Sequence, residues 1–239
     1  DLRVVDHAPL ANAAAAGPVM AIYVIEPGYW QQPDTGARHW AFIRESLVEL
    51  EQTLVTLGLP LHVLNDDLPR AFARLHAAQP FTAIHAHEET GNAWSYQRDR
   101  AVRQWARQTG VAFYETPQFG VVRGLPNRDA WAGHWERRMK APTIAVPANP
   151  TAAPPLDPTL GLSLAQREWP VSGLGFDQRD DVGAVFQKRQ GIGEDQLQGD
   201  ERGVDGGHVA GAVDGVLGHL ADIRPLDDRH AVVLAEFPG

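Results

Sequence analysis

The sequence predicts an α/β fold: an open, mainly parallel sheet with helices on both faces, followed by a poorly structured C-terminal tail. Three observations lead there. Through the first 140 residues, apolar runs of strand length alternate with segments of helical period. The run "VMAIYVIEP" (19 to 27) is apolar almost throughout and closed by a proline, as in a parallel strand buried on both faces. Beyond residue 140 both the alternation and the large apolar residues give out.

Taken in order, Asp6 is placed to cap an alanine-rich helix, with Pro9 tolerated in its first turn and Gly17 near its end. The strand of residues 19 to 27 follows, and residues 28 to 37 read as a loop. Trp40, Ile43, Leu47, Leu50, Leu54 and Leu57 recur at three- and four-residue steps, predicting an amphipathic helix stopped by Gly58. "LPLHVLN" (59 to 65) is a strand, and Asp67 caps a short helix carrying Leu68, Phe72 and Leu75. "FTAIHAH" (81 to 87) is the next strand. Asn92 then caps a helix through Gln108, with Trp94, Ala101, Val102 and Trp105 towards the core. "VAFYE" is a short last strand, and Asp129 caps a helix in which Trp131, Trp135 and Met139 share one face. Short connections and right-handed crossovers make such a sheet parallel. Its ligands bind beyond the carboxyl ends of the strands, where the "HEETGN" turn lies.

The organisation expected is an α/β domain over residues 1–140, a Pro-rich linker over 141–165, and a Gly/Asp-rich tail over 166–239. Residues 171–239 hold 13 of the 23 glycines and no Trp or Tyr, so they can bury little apolar surface. The tail is expected to be disordered or the product of a shifted reading frame. The charge is uneven as well: residues 1–140 carry 14 Lys and Arg against 15 Asp and Glu, residues 141–239 carry 7 against 15. Neither part has the basic excess of an autonomous nucleic-acid binder. With no cysteine, disulfides and thiolate metal sites within the chain are excluded. The apolar stretch 8–25 lacks a basic start and is split by Gly17-Pro18, so a cytoplasmic protein without a membrane partner is expected. The sequence opens at Asp1 without a methionine, which suggests that something upstream was removed or not captured.

Several segments together resemble the N-terminal, Rossmann-like α/β domain of the DNA photolyase/cryptochrome family. They are "DLRVVDHAPL", "AIYVIEP", "GARHWAFIRESLVELEQTLVTLGLPLHVLNDD" and "GVVRGLPNRDAWAGHW", in that order. The likeness covers roughly residues 1 to 165. It implies a domain that holds a light-harvesting antenna chromophore, flavin-like or deazaflavin-like. A folate is less favoured, because Ala93 follows Asn92 where folate-binding members carry Glu. In the intact family FAD, damaged DNA and the light-driven splitting of pyrimidine dimers belong to a helical C-terminal domain. Residues 166–239 do not resemble that domain, so this chain is expected to be truncated and inactive in repair by itself. The family's first strand ends just before "DLR". Its absence would leave neighbouring strands with unpaired edges and make the chain marginal or aggregation-prone.

The residues assigned to an antenna pocket are Glu88, Glu89, Asn92, Trp94 and Tyr96. Carboxylates and an amide at a helix start can hydrogen-bond a ring edge or ribityl chain, and an aromatic can stack on the ring. The competing reading is capping by Asn92, Glu88 and Glu89, with Trp94 in the core. Arg3 and Asp6 would face the same crevice, or form an ion pair holding the first turn. Arg100, Arg103 and Arg107 read as a solvated helix face diluted by Asp99. His85 and His87 project from one strand face and, with Glu88, could ligate a metal in a hydrolase. A non-catalytic nucleotide-binding module is the third possibility. Oligomeric state is not legible.

Overall fold

The computed structural model describes residues 2–161 and 233–238. In chain order these form α1 (Ala8–Ala16), β1 (Val19–Ile25), α2 (Pro27–Trp30), α3 (Ala37–Thr56), β2 (Leu61–Asn65), α4 (Leu68–Ala78), β3 (Ala83–His87), α5 (Ala93–Thr109), β4 (Ala112–Thr116), α6 (Trp131–Met139) and β5 (Val233–Glu236). The strands make one sheet in the order β2-β1-β5-β3-β4. β1–β2 and β3–β4 pair in parallel, Ala21 opposite Leu61 and Ala83 opposite Ala112. β5 lies between the two pairs and runs antiparallel to both, with Ala235 opposite Met20 on one side and Ile84 on the other. Four of the five strands therefore point the same way.

Every residue of β1 is buried. Its odd-numbered side chains Val19, Ala21, Tyr23 and Ile25 pack with Leu10 and Ala13 of α1 and with Trp40, Ile43, Leu47, Leu50 and Leu54 of α3. Its even-numbered side chains Met20, Ile22 and Val24 join Phe72 and Leu75 of α4, Ile84 of β3, and Val102 and Ala106 of α5 on the other face. Period-2 alternation along a strand thus serves two cores, which is why the run reads as continuously apolar. Helix α5 ends at Gly110, whose φ of +75 places it in the left-handed region while its N–H returns to Ala106 O.

Several local expectations need correction. Residues 27–30 form the short helix α2 within the predicted loop, and bury Tyr29 and Trp30. Asp6 is not the cap of α1: it sits at φ +52, and His7 caps instead, its Nδ1 accepting from Leu10 N at 3.0 Å. Asp67 occupies the cap position of α4 without a capping bond: its carboxylate pairs with Arg70, and Glu26 Oε1 accepts from Leu68 N at 3.0 Å. Asn127, not Asp129, caps the turn before α6. On α5 the buried stripe is Ser95, Asp99, Val102 and Ala106, so Ala101 is exposed. Trp131, Trp135 and Met139 do share a face of α6, and all three are exposed.

The largest departure is β5. Most of the tail expectation, residues 166–232, lies outside the described residues, but Val233–Glu236 is a strand, and Ala235 and Phe237 are buried. The gap expected between β1 and β3 is filled, so those two edges are paired. A local apolar run, "AVVLAEF", overrides the surrounding composition because a strand in a ready slot needs only a few residues. The Pro-rich stretch also packs back. Thr151 O accepts from Val19 N at 2.8 Å, Ala153 N donates to Val19 O at 2.9 Å, and Leu156 enters the second core.

Burial holds two histidines neutral. His7 and His87 lie with ring centroids 4.6 Å apart, 2% and 5% exposed. Burial lowers the pKa of His7 from about 6.5 to about 3, and that of His87 to about 2. Below pH 6.5 the unfolded chain gains protons that the folded chain does not take. Stability is therefore fully present above pH 6.5 and falls on acidification, by up to about 1.4 kcal/mol per pH unit for each histidine. His7→Asn keeps a capping acceptor and removes one titrating group. Urea unfolding between pH 7 and 5 should then show a visibly shallower pH dependence in the variant; identical slopes would contradict the assignment.

Candidate functional site

Chain order carries β1 to β2 on one side and then crosses to β3 and β4 on the other, so the carboxyl ends of β1 and β3 flank the topological switch point. In open α/β sheets ligands bind at that crevice. Here its walls are Glu26 just after β1, the turn 88–92 just after β3, and α5, which carries Arg98 into the space between.

Arg98 is the centre of the crevice. Its guanidinium donates to Glu26 Oε2 at 2.9 Å, Glu89 Oε2 at 2.9 Å and Asp99 Oδ1 at 3.2 Å, and all four side chains are 10% exposed or less. Burial pushes the pKa of Glu26 up, against the Arg98 charge and the Leu68 N–H. Burial also acts to lower that of Arg98, but Glu26, Asp99 and Glu89 outweigh it and keep the guanidinium charged. A second knot adjoins the first. Glu115 of β4 accepts from Arg103 at 2.6 Å and from Arg123 at 2.6 Å, and Arg123 also reaches Asp99 at 3.3 Å and Glu89 O at 2.7 Å. Partial burial opposes ionisation of Glu115, but bonds from Arg103 and Arg123 hold its pKa below the usual carboxylate range.

Aromatic rings form the other wall. Tyr29 and Trp94 have centroids 5.7 Å apart, Tyr29 meets Trp30 edge-on at 5.2 Å, and Trp30 meets Trp40 edge-on at 5.1 Å. Trp94 lies against Gly28, where an added Cβ would come within 3.1 Å of its ring. Arg98 sits 6.0 Å from the Trp94 centroid, at the limit of a cation–π contact.

The residues expected at this site divide into groups. Glu88, Glu89, Asn92 and Trp94 are together at the mouth. Glu89 is engaged twice, by Arg98 and by Gly91 N at 2.6 Å. Asn92 caps Ser95 N at 3.0 Å, as the capping reading expects, and donates its amide to Asp34 at 3.0 Å. Glu88 is half-buried and ties its backbone to Thr116 O. Tyr96 is half exposed on the outer face of α5. Arg3 and Asp6 form an exposed pair 4.0 Å apart, and Asp6 is bound to Ile144 N at 3.0 Å. That is the structural alternative raised from the sequence.

The metal reading fails. His85 Nε2 lies 3.0 Å from Glu236 Oε2, His87 is packed on His7, and among the described residues no group of three metal-ligating side chains converges. The solvated-face reading of the arginines is also revised, since Arg103 is held by Glu115 and Asp99 is 5% exposed. Glu26, Arg98 and Arg123 were not singled out from the sequence. A charge directly after a fully apolar strand, and Asp99 in step with Ser95, Val102 and Ala106, were the available signals.

Arg98→Met removes the cation that Glu26, Glu89 and Asp99 share, and such breaks cost about 3–5 kcal/mol. Exposed pairs such as Lys140–Glu136 are worth about 0–1 kcal/mol. Denaturant unfolding should place Arg98→Met in the first class, and adding Glu26→Gln should recover part of the loss. A cost below about 1 kcal/mol would mean the crevice is hydrated and the network loose.

Comparison with known proteins agrees with this fold. The DNA photolyase family profile matches residues 1–122, just over half of the chain. Tomato cryptochrome DASH, chloroplastic/mitochondrial, is 32% identical over 100 residues, which is 38% of this chain and 17% of that protein. Chicken cryptochrome-2 is 28% identical over 111 residues, 46% of this chain and 19% of that protein. The chain thus spans under a fifth of the length of these curated relatives. The crystal structure of a Synechocystis cryptochrome superposes with a TM-score of 0.57 at 18% identity, covering 68% of this chain and 37% of that one. Among the described residues no helix is long and apolar enough to cross a membrane. With its sheet and this profile match, the chain belongs to the DNA photolyase/cryptochrome family.

Proposed function

We propose that this chain is an antenna-chromophore-binding domain of the photolyase/cryptochrome type, and that its ligand is a flavin-like or deazaflavin-like ring held at the mouth of the crevice. The observation that carries the reading is the pairing of an aromatic wall, Tyr29 and Trp94, with a charged floor built on Arg98. A planar heteroaromatic needs both: a face to stack on and fixed polar groups at its edge. Trp94, the partly exposed ring, would supply the face, backed by the buried Tyr29. Glu88 would accept from a ring N–H, and Arg98, already oriented by Glu26 and Glu89, would set the potential beneath the ring. Glu89 and Asn92 act by holding that frame. Tyr96, on the outer face of α5, Arg3 and Asp6 serve the ligand less directly.

When bound, such a chromophore absorbs near-ultraviolet or blue light. The protein's own contribution is to bind it, orient it and exclude water from its inner edge. FAD binding, contact with damaged DNA and the splitting of pyrimidine dimers are assigned here to parts of the intact family that this chain does not span. On this reading the chain alone carries no lyase activity. A cytoplasmic location accords with the absence of cysteine.

The test is loading followed by melting. The full chain should gain thermal stability with a flavin or 8-hydroxy-deazaflavin, more than with a folate or a plain nucleotide. Trp94→Ala should weaken binding about tenfold or more, in line with the loss of a stacking face. No shift with any ring system, and no absorbance retained after loading and gel filtration, would overturn the reading.

A further inference from the structure

β5 is held along its two edges by two short stretches, residues 17–22 and 81–85, and also packs beside α1. Its backbone pairs with β1 from Val19 to Ile22 and with β3 from Ala83 to His85. Past the strand, Phe237 N donates to Pro18 O at 2.9 Å, and Thr82 N donates to Glu236 O at 2.8 Å. Three side chains read the segment. Ala235 is fully buried between Met20 and Ile84. Glu236 takes a hydrogen bond at 3.0 Å with His85 Nε2. Phe237 is 4% exposed and meets the Phe81 ring edge-on at 6.0 Å. Gly17 completes the fit, since a Cβ there would stand 3.1 Å from Phe237 O.

These are the parts of a strand-binding site: two backbone ladders for affinity, and one small, one acidic and one aromatic position for specificity. None of the contacts depends on the covalent link between β5 and the rest of the domain. Residues 162–232 stand between the last residue described before it and β5 itself. At about 3.4 Å per residue such a connection has an extended limit of about 240 Å, so a neighbouring copy's slot is within reach. Exchange of an identical element between protomers replaces every contact with the same contact.

We infer that the slot between β1 and β3 is a strand-binding site that takes the Val233–Phe237 segment of a second copy, giving a strand-exchanged dimer. The natural ligand class is an extended peptide with a small residue, an acid and an aromatic in succession.

The absence of cysteine makes the test direct. Two single variants of the full chain, Met20→Cys and Ala235→Cys, are mixed, denatured and refolded together, then oxidised. Each copy has one thiol, and the two positions face each other in register. Exchange yields a disulfide-linked heterodimer, distinguished by a size tag on one variant. Val48→Cys, on an exposed position of α3, replaces Met20→Cys as the control and should give at least about tenfold less. No heterodimer above the control overturns the inference, as does a Met20→Cys/Ala235→Cys double variant that links only within one chain. The unaltered chain provides a second readout free of folding defects in the variants. Light scattering should show a dimer fraction rising with the concentration at which it is refolded, and a monomer throughout would contradict the proposal.

Discussion

Two parallel strand pairs, β1–β2 and β3–β4, each carry an inner edge of backbone N–H and C=O groups that helices cover on both faces. Those groups must find partners, because water does not reach them there and an orphaned backbone group costs as much as the hydrogen bond it lacks. β5 supplies the partners for both edges at once. It also supplies Ala235 and Phe237 to the second core. Among the described residues, the two halves of the sheet are therefore one sheet only through this short strand.

The crevice is stabilised by a different kind of interaction. Glu26 ends β1, Glu89 follows β3, and Arg98 from α5 binds both, so one guanidinium ties the two halves together above the level that β5 reaches. Glu26 does a second job by accepting from the first N–H of α4, while Asp67 at the cap position pairs with Arg70 instead. Buried ion pairs of this sort add little net stability over apolar packing but fix geometry strongly, since any misplacement leaves a charge without its partner. Orientation of this sort is what a ligand-holding crevice needs from its floor. The aromatic cluster of Tyr29, Trp30 and Trp94 adjoins the same region, with Gly28 letting the Trp94 ring approach the backbone closely.

Legibility from sequence followed the physics of each element. Helix α3 was plain because Trp40, Ile43, Leu47, Leu50 and Leu54 form an unbroken apolar stripe, and β1 was plain because both of its faces are buried. The cap of α1 was misread because His7 is an uncommon cap and its role rests on burial, which sequence does not show. β5 was missed because its four residues are set in a Gly- and Asp-rich stretch, and only the vacant slot between β1 and β3 gives them a structure. At the site, Asn92 and Glu89 were visible from their place before a helix. Arg98 was not, since its partners lie 72 and 9 residues away in sequence.

The role of β5 is the claim on which the rest stands, and native-state hydrogen exchange measures it most directly. In the full chain, the amides of Val233–Phe237 and those of Val19–Ile22 and Ala83–His85 should exchange together, slowly, at rates set by global unfolding. Exchange of Val233–Phe237 at the rate of an unstructured peptide, while β1 and β3 remain protected, would show that something other than this strand joins the halves, and would contradict the account.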